Sequence, residues 1–168
     1  VDHEWWDSDL DWFKECATAL GIDIEDIYFS GFWSQGDGAK FVGTYAYRKG
    51  WREALAQVSS DSELVSIGEA LQMVQSRNFY QLGATVKSSG HYCHEMATSI
   101  DVTCEDAYTT LDLARDGDDD DVTQALRDFM RWIYRRLEAE YDSLVSDDVV
   151  RETIEANEYE FDEDGAMA

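Results

Sequence analysis

Apolar residues along this chain switch between two spacings. Leu10, Phe13, Cys16, Ala17 and Leu20 recur three and four apart and predict an amphipathic helix, capped by Asp7-Ser8-Asp9 and stopped by Gly21. Ile27 to Trp33 is aromatic and β-prone, and Phe41, Gly43, Tyr45 and Tyr47 then alternate on one face. Ser34-Gln35-Gly36-Asp37-Gly38 reads as the turn between them, so 27–47 is expected to be a β-hairpin. Trp51 to Gln57 is helical in pattern. Ser60 or Asp61 caps a further helix to about Arg77, with Leu64, Ile67, Leu71 and Val74 on its apolar face. Phe79 to Lys87 and His91 to Thr103 read as two more strands, joined at Ser88-Ser89-Gly90. Asp118 to Asp121 precede a long helix whose buried face is Val122, Leu126, Phe129, Ile133 and Leu137. Ser146-Asp147 caps a last short helix through about Ala156, and Tyr159 to Gly165 is expected to add a short strand.

The fold class these elements imply is α+β: an antiparallel sheet of about four strands packed against several helices. The strands are expected mainly at 27–33, 41–47, 79–87 and 92–102, within a single acidic domain over 1–168. A chain of 168 residues buries a core without disulfides or metal. Cys16, Cys93 and Cys104 match neither a disulfide framework nor a metal knuckle, and read as reduced thiols of a cytoplasmic protein. No apolar run approaches the roughly 20 residues that span a bilayer, and no basic-then-apolar leader opens the chain.

Charge changes the picture most. The formal net charge is −24, from 13 basic and 37 acidic side chains. Such a chain repels nucleic acid and anionic membrane and favours basic partners. The excess is uneven. Residues 1–26 hold nine acidic groups against Lys14, and residues 138–168 hold twelve against Arg151. Residues 27–100 balance six against six. The terminal helices are therefore expected to form an acidic layer on a neutral β core, converging on one face.

Four stretches resemble a known family: Ile27-Tyr28-Phe29-Ser30-Gly31-Phe32-Trp33-Ser34-Gln35-Gly36-Asp37-Gly38-Ala39, His91-Tyr92-Cys93-His94-Glu95, Trp132-Ile133-Tyr134-Arg135-Arg136-Leu137-Glu138 and Ala156-Asn157-Glu158-Tyr159-Glu160-Phe161. Together they resemble a family of small bacteriophage proteins labelled "antitoxin of toxin–antitoxin stability system". The resemblance implies phage origin and host-directed activity. It carries no catalytic residues over, and the Asp118–Asp121 run is more acidic than that family implies.

Each chemical candidate competes with a plainer reading. The turn Ser34 to Gly38 would make an anion nest, but it lacks the lysine of a phosphate loop, so a tight hairpin turn is preferred. His91, Cys93 and Glu95 would share one face of a strand and, with Cys104, would suit zinc. Their spacing fits no standard site, so the preferred reading is a half-buried strand with no metal and no cofactor. Arg127, Arg131 and Arg135 recur at i,i+4 with Arg136 nearby, and pair best with acidic neighbours such as Asp128 and Glu138.

The leading expectation is a phage-encoded effector, not an enzyme. It would bind the basic surface of a host protein, such as a DNA-binding protein or nuclease, as a mimic of duplex DNA. Asp142, Asp147, Asp148, Glu152 and Glu155 are its candidate contact residues, because helical spacing lines them up. The alternative is an antitoxin-like inhibitor that docks through an aromatic sheet face. Four lysines against 22 Asp and 15 Glu also suit adaptation to a salty habitat, which would explain the charge without a partner.

Overall fold

A four-stranded antiparallel sheet in the order β1-β2-β3-β4 forms one layer of the protein, so the α+β antiparallel expectation holds. The computed structural model describes residues 4–32, 34–104 and 117–157, with side chains from Asp7 onward. The strands are β1 (Ile22–Phe29), β2 (Ala39–Ala46), β3 (Leu82–Ser88) and β4 (Thr98–Cys104). The helices are α1 (Glu4–Ala19), α2 (Trp51–Val58), α3 (Ser62–Arg77), α4 (Asp118–Leu144) and α5 (Asp147–Ala156). The chain divides into two compact units, Val1–Tyr134 and Arg135–Ala168, with the boundary inside α4.

Alternation decides which sheet face is covered. Ile22, Ile24, Phe41, Tyr45, Leu82, Ala84 and Val86 are buried. Their outward neighbours Asp23, Thr44, Lys87, Ser99, Asp101 and Thr103 are exposed. Helix α1 contributes Phe13, Cys16 and Ala17 to the core, and Leu20 is buried in the turn that follows it. From α4, Val122, Leu126, Phe129 and Ile133 are buried as the spacing predicts, and Phe129 meets Phe41 of the sheet edge-on at 6.0 Å between ring centroids. Trp132 closes the junction of α1 and α4, 5.3 Å from Phe13 and 5.4 Å from Trp12.

Polar groups fix how the helices sit. Asp61 caps α3 by accepting from the Glu63 amide at 2.8 Å, and its other carboxylate oxygen accepts the Trp132 indole N–H at 2.9 Å. Gln75 is fully buried. Its amide nitrogen donates to the Leu82 carbonyl at 2.7 Å and the Tyr45 hydroxyl at 3.1 Å, while its oxygen accepts from Leu82 N–H at 3.0 Å. Gly68 lies within α3 because a Cβ there would overlap the Trp51 ring, which packs onto that turn and donates to Gln72. Gly21, with φ of +88°, ends α1 as its position predicts.

Several boundaries depart from the sequence expectation. Helix α1 reaches upstream through Glu4, so Asp7-Ser8-Asp9 lie inside it, in the early turns where acidic groups suit the macrodipole. Strand β1 begins at Ile22 and ends at Phe29, where Asp37 draws Ser30 and Ser34 into a folded loop. The acidic run Asp118–Asp121 is the first turn of α4 and does not precede it. Asp118 is buried there, bonded by Asn78 at 2.7 Å and Arg77 at 2.8 Å, and Asp121 also takes Arg77 at 3.0 Å. These carboxylates raise the Arg77 guanidinium above its usual range, the Asp118 hydrogen bond most. Strand β3 starts at Leu82, because Phe79 and Tyr80 take left-handed backbone, φ +54° and +59°. The strand expected at Tyr159 to Gly165 lies outside the described residues.

Three outcomes are expected. Phe129→Ala should destabilise the protein by about 3–5 kcal/mol in chemical denaturation, through the cavity it leaves. Phe79→Gly should instead stabilise it by about 1 kcal/mol, because glycine takes the left-handed region freely; a lower melting temperature would contradict this. The third concerns pH. Burial pushes the Tyr45 phenol up to about 12 from 10.0; the Gln75 hydrogen bond opposes the rise and Tyr47 adds to it. The folded state therefore holds that proton more tightly than the unfolded chain. Its contribution is fully present below pH 10.0 and is lost as pH rises toward about 12. An ultraviolet titration should show one tyrosine ionising late, as the protein loses stability.

Candidate functional site

Two loops meet at one end of the sheet. One is the β1–β2 loop, described at 30–32 and 34–38, the other includes residues 91–95, and α4 braces both. In the β1–β2 loop, Asp37 accepts from the Ser34 amide at 2.7 Å and the Ser30 hydroxyl at 3.2 Å, and Ser30 N–H donates to the Gly38 carbonyl at 3.1 Å. Gly38 has no room for a side chain: a Cβ would lie 2.9 Å from the Cys93 carbonyl and 3.1 Å from the His94 Cα. The two loops are therefore packed backbone to backbone.

Lys40 holds the β3–β4 loop. It is only 3% exposed, and its ammonium donates to Ser88 Oγ at 2.8 Å, the Gly90 carbonyl at 3.1 Å and the Ala97 carbonyl at 3.4 Å. The Tyr28 ring lies beneath it at 5.8 Å. Three neutral acceptors and one ring face hold a charge that burial would otherwise penalise. Arg131 of α4 donates to Glu95 at 2.9 Å and to Asp128 at 2.7 Å. Tyr134 stacks on Phe32 with centroids 5.7 Å apart.

A shallow cleft of about 630 Å³ opens between the loops, lined by Gln35, Gly36, Tyr92, His94, Met96 and Ala97 among others. Among the described residues none of its lining side chains is a carboxylate. His94 Nδ1 stands between two partners, 3.1 Å from the Met96 amide and 3.3 Å from Glu95. An unprotonated Nδ1 accepts the amide, and a protonated one pairs with the carboxylate.

The sequence-derived candidates fare unequally. His91, Cys93 and Glu95 do not share a strand face. Residues 91–97 form a loop, closed by Ser89 N–H on the Ala97 carbonyl at 2.9 Å and Ala97 N–H on the His94 carbonyl at 2.8 Å, so β4 begins later than expected. Glu95 is engaged by Arg131 and His94, while His91 packs against Tyr92 with centroids 4.9 Å apart. Among the described residues no three His, Cys, Asp or Glu side chains gather as metal ligands.

Asp142 lies on the last turn of α4, and Asp147, Asp148, Glu152 and Glu155 lie on α5; all five are exposed. Asp148, Glu152 and Glu155 share one face of α5, with Asp147 beside it. Segments 1–26 and 138–168 fall in different units. The aromatics Phe41 and Tyr45 face the helices and are buried, whereas Tyr28 is 42% exposed. Lys40 and the Glu95–Arg131 pair were not legible in advance, because nothing local marks a lysine or a glutamate for a partner dozens of residues away.

Lys40→Met should remove the ammonium that Ser88, Gly90 and Ala97 share, leaving the Gly90 carbonyl only the Ser88 hydroxyl at 3.3 Å and the Ala97 carbonyl only the Ser89 amide at 2.9 Å, at a cost of about 1–3 kcal/mol. Hydrogen exchange across Ser89–Ala97 should quicken while the β2 amides stay protected; uniform change across the sheet would contradict the loop-clamp role.

Residues 5–147 match the family model described as "Domain of unknown function (DUF8835)". No curated protein and no solved structure matches the chain. With most of its length matched, the chain belongs to the DUF8835 family.

Proposed function

We propose that this protein is a binding module that occupies the basic surface of another protein, as a phage-encoded effector would on a host DNA-binding protein or nuclease. The observation that carries the reading is the acidic surface of α5. Asp147, Asp148, Glu152 and Glu155 are all exposed along one short helix, with Arg151 its one cation. No side chain of α5 is fully buried, and its acidic residues are exposed from Asp147 to Glu155.

Charge density supports mimicry of one DNA strand. At about 1.5 Å per residue, these four carboxylates span roughly 12 Å of helix, near one charge per 4 Å. One strand of duplex DNA carries a charge per about 3.4 Å of axis, and both strands together one per about 1.7 Å. Helix α5 thus matches a single strand and about half of a duplex. Asp142 extends the acidic surface.

A second reading has its own observation. Exposed carboxylates also coat the outer sheet face at Asp23 and Asp101, and helices α1, α2 and α3 at Asp11, Glu53 and Glu69. An even coat of this kind suits salt adaptation, which needs no partner.

One experiment separates the two. A purified basic nucleoid-type DNA-binding protein, loaded with fluorescent duplex DNA, is titrated with this protein. DNA should be displaced, and displacement should weaken steeply as salt rises. Changing Asp142, Asp147, Asp148, Glu152 and Glu155 to Asn or Gln should reduce it roughly tenfold or more without lowering the melting temperature. No displacement at low salt, with lower stability once salt is removed, would establish the salt-adaptation reading instead.

A further inference from the structure

Two consecutive aromatic residues hold left-handed backbone where α3 ends. Phe79 is 84% exposed and Tyr80 47% exposed. The turn that presents them is tied by three backbone hydrogen bonds. Asn78 N–H and Tyr80 N–H both donate to the Gln75 carbonyl, at 3.0 and 2.8 Å, and Gln81 N–H donates to the Asn78 carbonyl at 3.1 Å. The Asn78 side chain bonds the Val74 carbonyl at 2.9 Å and Asp118 at 2.7 Å. Tyr80 leans on Tyr47, with ring centroids 4.6 Å apart. The backbone under Phe79 is thus rigid, while its ring meets water. Asparagine or glycine would suit this conformation better, so the folded state gains nothing from the phenyl group.

The surroundings supply the rest of a surface. A groove of about 230 Å³ runs between α3 and α4, with Ala70 and Ala125 along it and Met73, 64% exposed, on its α3 side. Asp121 and Asp128 line its α4 side, two turns apart and near 10 Å along the helix axis. Arg77 in the groove sits two residues before Phe79, and its partner Asp121 continues into the exposed carboxylates Asp119 and Asp120, which make no ion pair among the described residues. Phe79 does not line the groove but stands past its Arg77 end; an adaptable methionine, small residues that admit a close approach and an adjoining aromatic knob are the parts of a helix-in-groove surface. Its acidic rim selects the sign of the partner.

We propose that the α3–α4 groove, with Phe79 as its anchor and Asp119–Asp121 as its rim, docks a basic amphipathic helix of the partner protein. The partner's apolar stripe covers Met73 and receives the Phe79 ring, and its flanking Lys or Arg side chains face the rim. This rests on the reading that the partner is basic and names a second, apolar component of its recognition.

The probe is a synthetic amphipathic helix of leucine and lysine, compared with a scrambled peptide of equal composition and with poly-L-lysine. The wild-type protein should bind the amphipathic peptide at least tenfold more tightly than the scrambled one. Phe79→Gly should remove that preference without loss of thermal stability, Met73→Ser should reduce it, and Asp119→Asn with Asp120→Asn should flatten its salt dependence. Equal affinity for both peptides, or a preference that survives Phe79→Gly, overturns the groove. In that case salt-sensitive binding of poly-L-lysine would leave the basic-partner reading standing. If no basic probe binds even at low salt, that reading falls, and the groove with it.

Discussion

The side chain of Gln75 is the constraint on which much of the first unit depends. Its amide pairs with both backbone groups of Leu82, as a neighbouring strand would, so the helix is stitched directly to the start of β3. The same amide nitrogen reaches the Tyr45 hydroxyl of β2, linking α3 to a second strand. Its backbone carbonyl meanwhile accepts the amides of Asn78 and Tyr80, which ends the helix and sets the left-handed turn. A buried primary amide left half-satisfied would be expensive in a low-dielectric core, so the arrangement holds as a set. Position in the helix, strand register and the direction of the exposed aromatics follow from one residue.

The two ends of the sheet are built on opposite terms. At the Phe79 end, a buried carboxylate, Asp118, is matched by Arg77 and Asn78, a charge-compensated knot that ties α4 to α3. At the loop end, Lys40 is buried among neutral oxygens and a ring face, with no carboxylate paired to it among the described residues. The first arrangement fixes a helix–helix junction. The second shapes a loop, because three acceptors on one ammonium draw Ser88, Gly90 and Ala97 together. In a chain with 37 carboxylates, the described lining of the cleft holds none, and the cleft lies between two of the sequence stretches that suggested a family.

Periodicity made the helices legible. Leu64, Ile67, Leu71 and Val74, and then Val122, Leu126, Phe129 and Ile133, lie at spacings that only a helix can bury on one side, and all are buried. The sheet order was legible in outline, but strand ends were not. Residues 30–32 and 91–94 neighbour or carry aromatic side chains and look β-prone, yet Asp37 and Lys40 supply hydrogen bonds that outcompete a ladder. Phe79 reads as a strand start for the same reason, whereas the backbone turns left-handed there as the Gln75 carbonyl accepts the amides of Asn78 and Tyr80. Asp142, Asp147, Asp148, Glu152 and Glu155 were recognisable as exposed from spacing alone. The α3–α4 groove was not, because it joins residues more than forty positions apart whose types, Met, Ala and Asp, are individually ordinary.

Asp61 bears on the order in which the chain comes together. One of its oxygens makes a contact spanning two residues, and the other spans 71. The short contact needs no residue outside the start of α3, so local helix formation is enough to fix the carboxylate's rotamer. The distant indole of Trp132 then meets an acceptor that is already oriented, and the entropy of ordering that side chain does not oppose the long loop closure. A cap of this kind acts as a landing mark: the early helix chooses the register at which the late one arrives. Moving the acceptor by a single methylene, as glutamate would, keeps the charge but uncouples those two events in time.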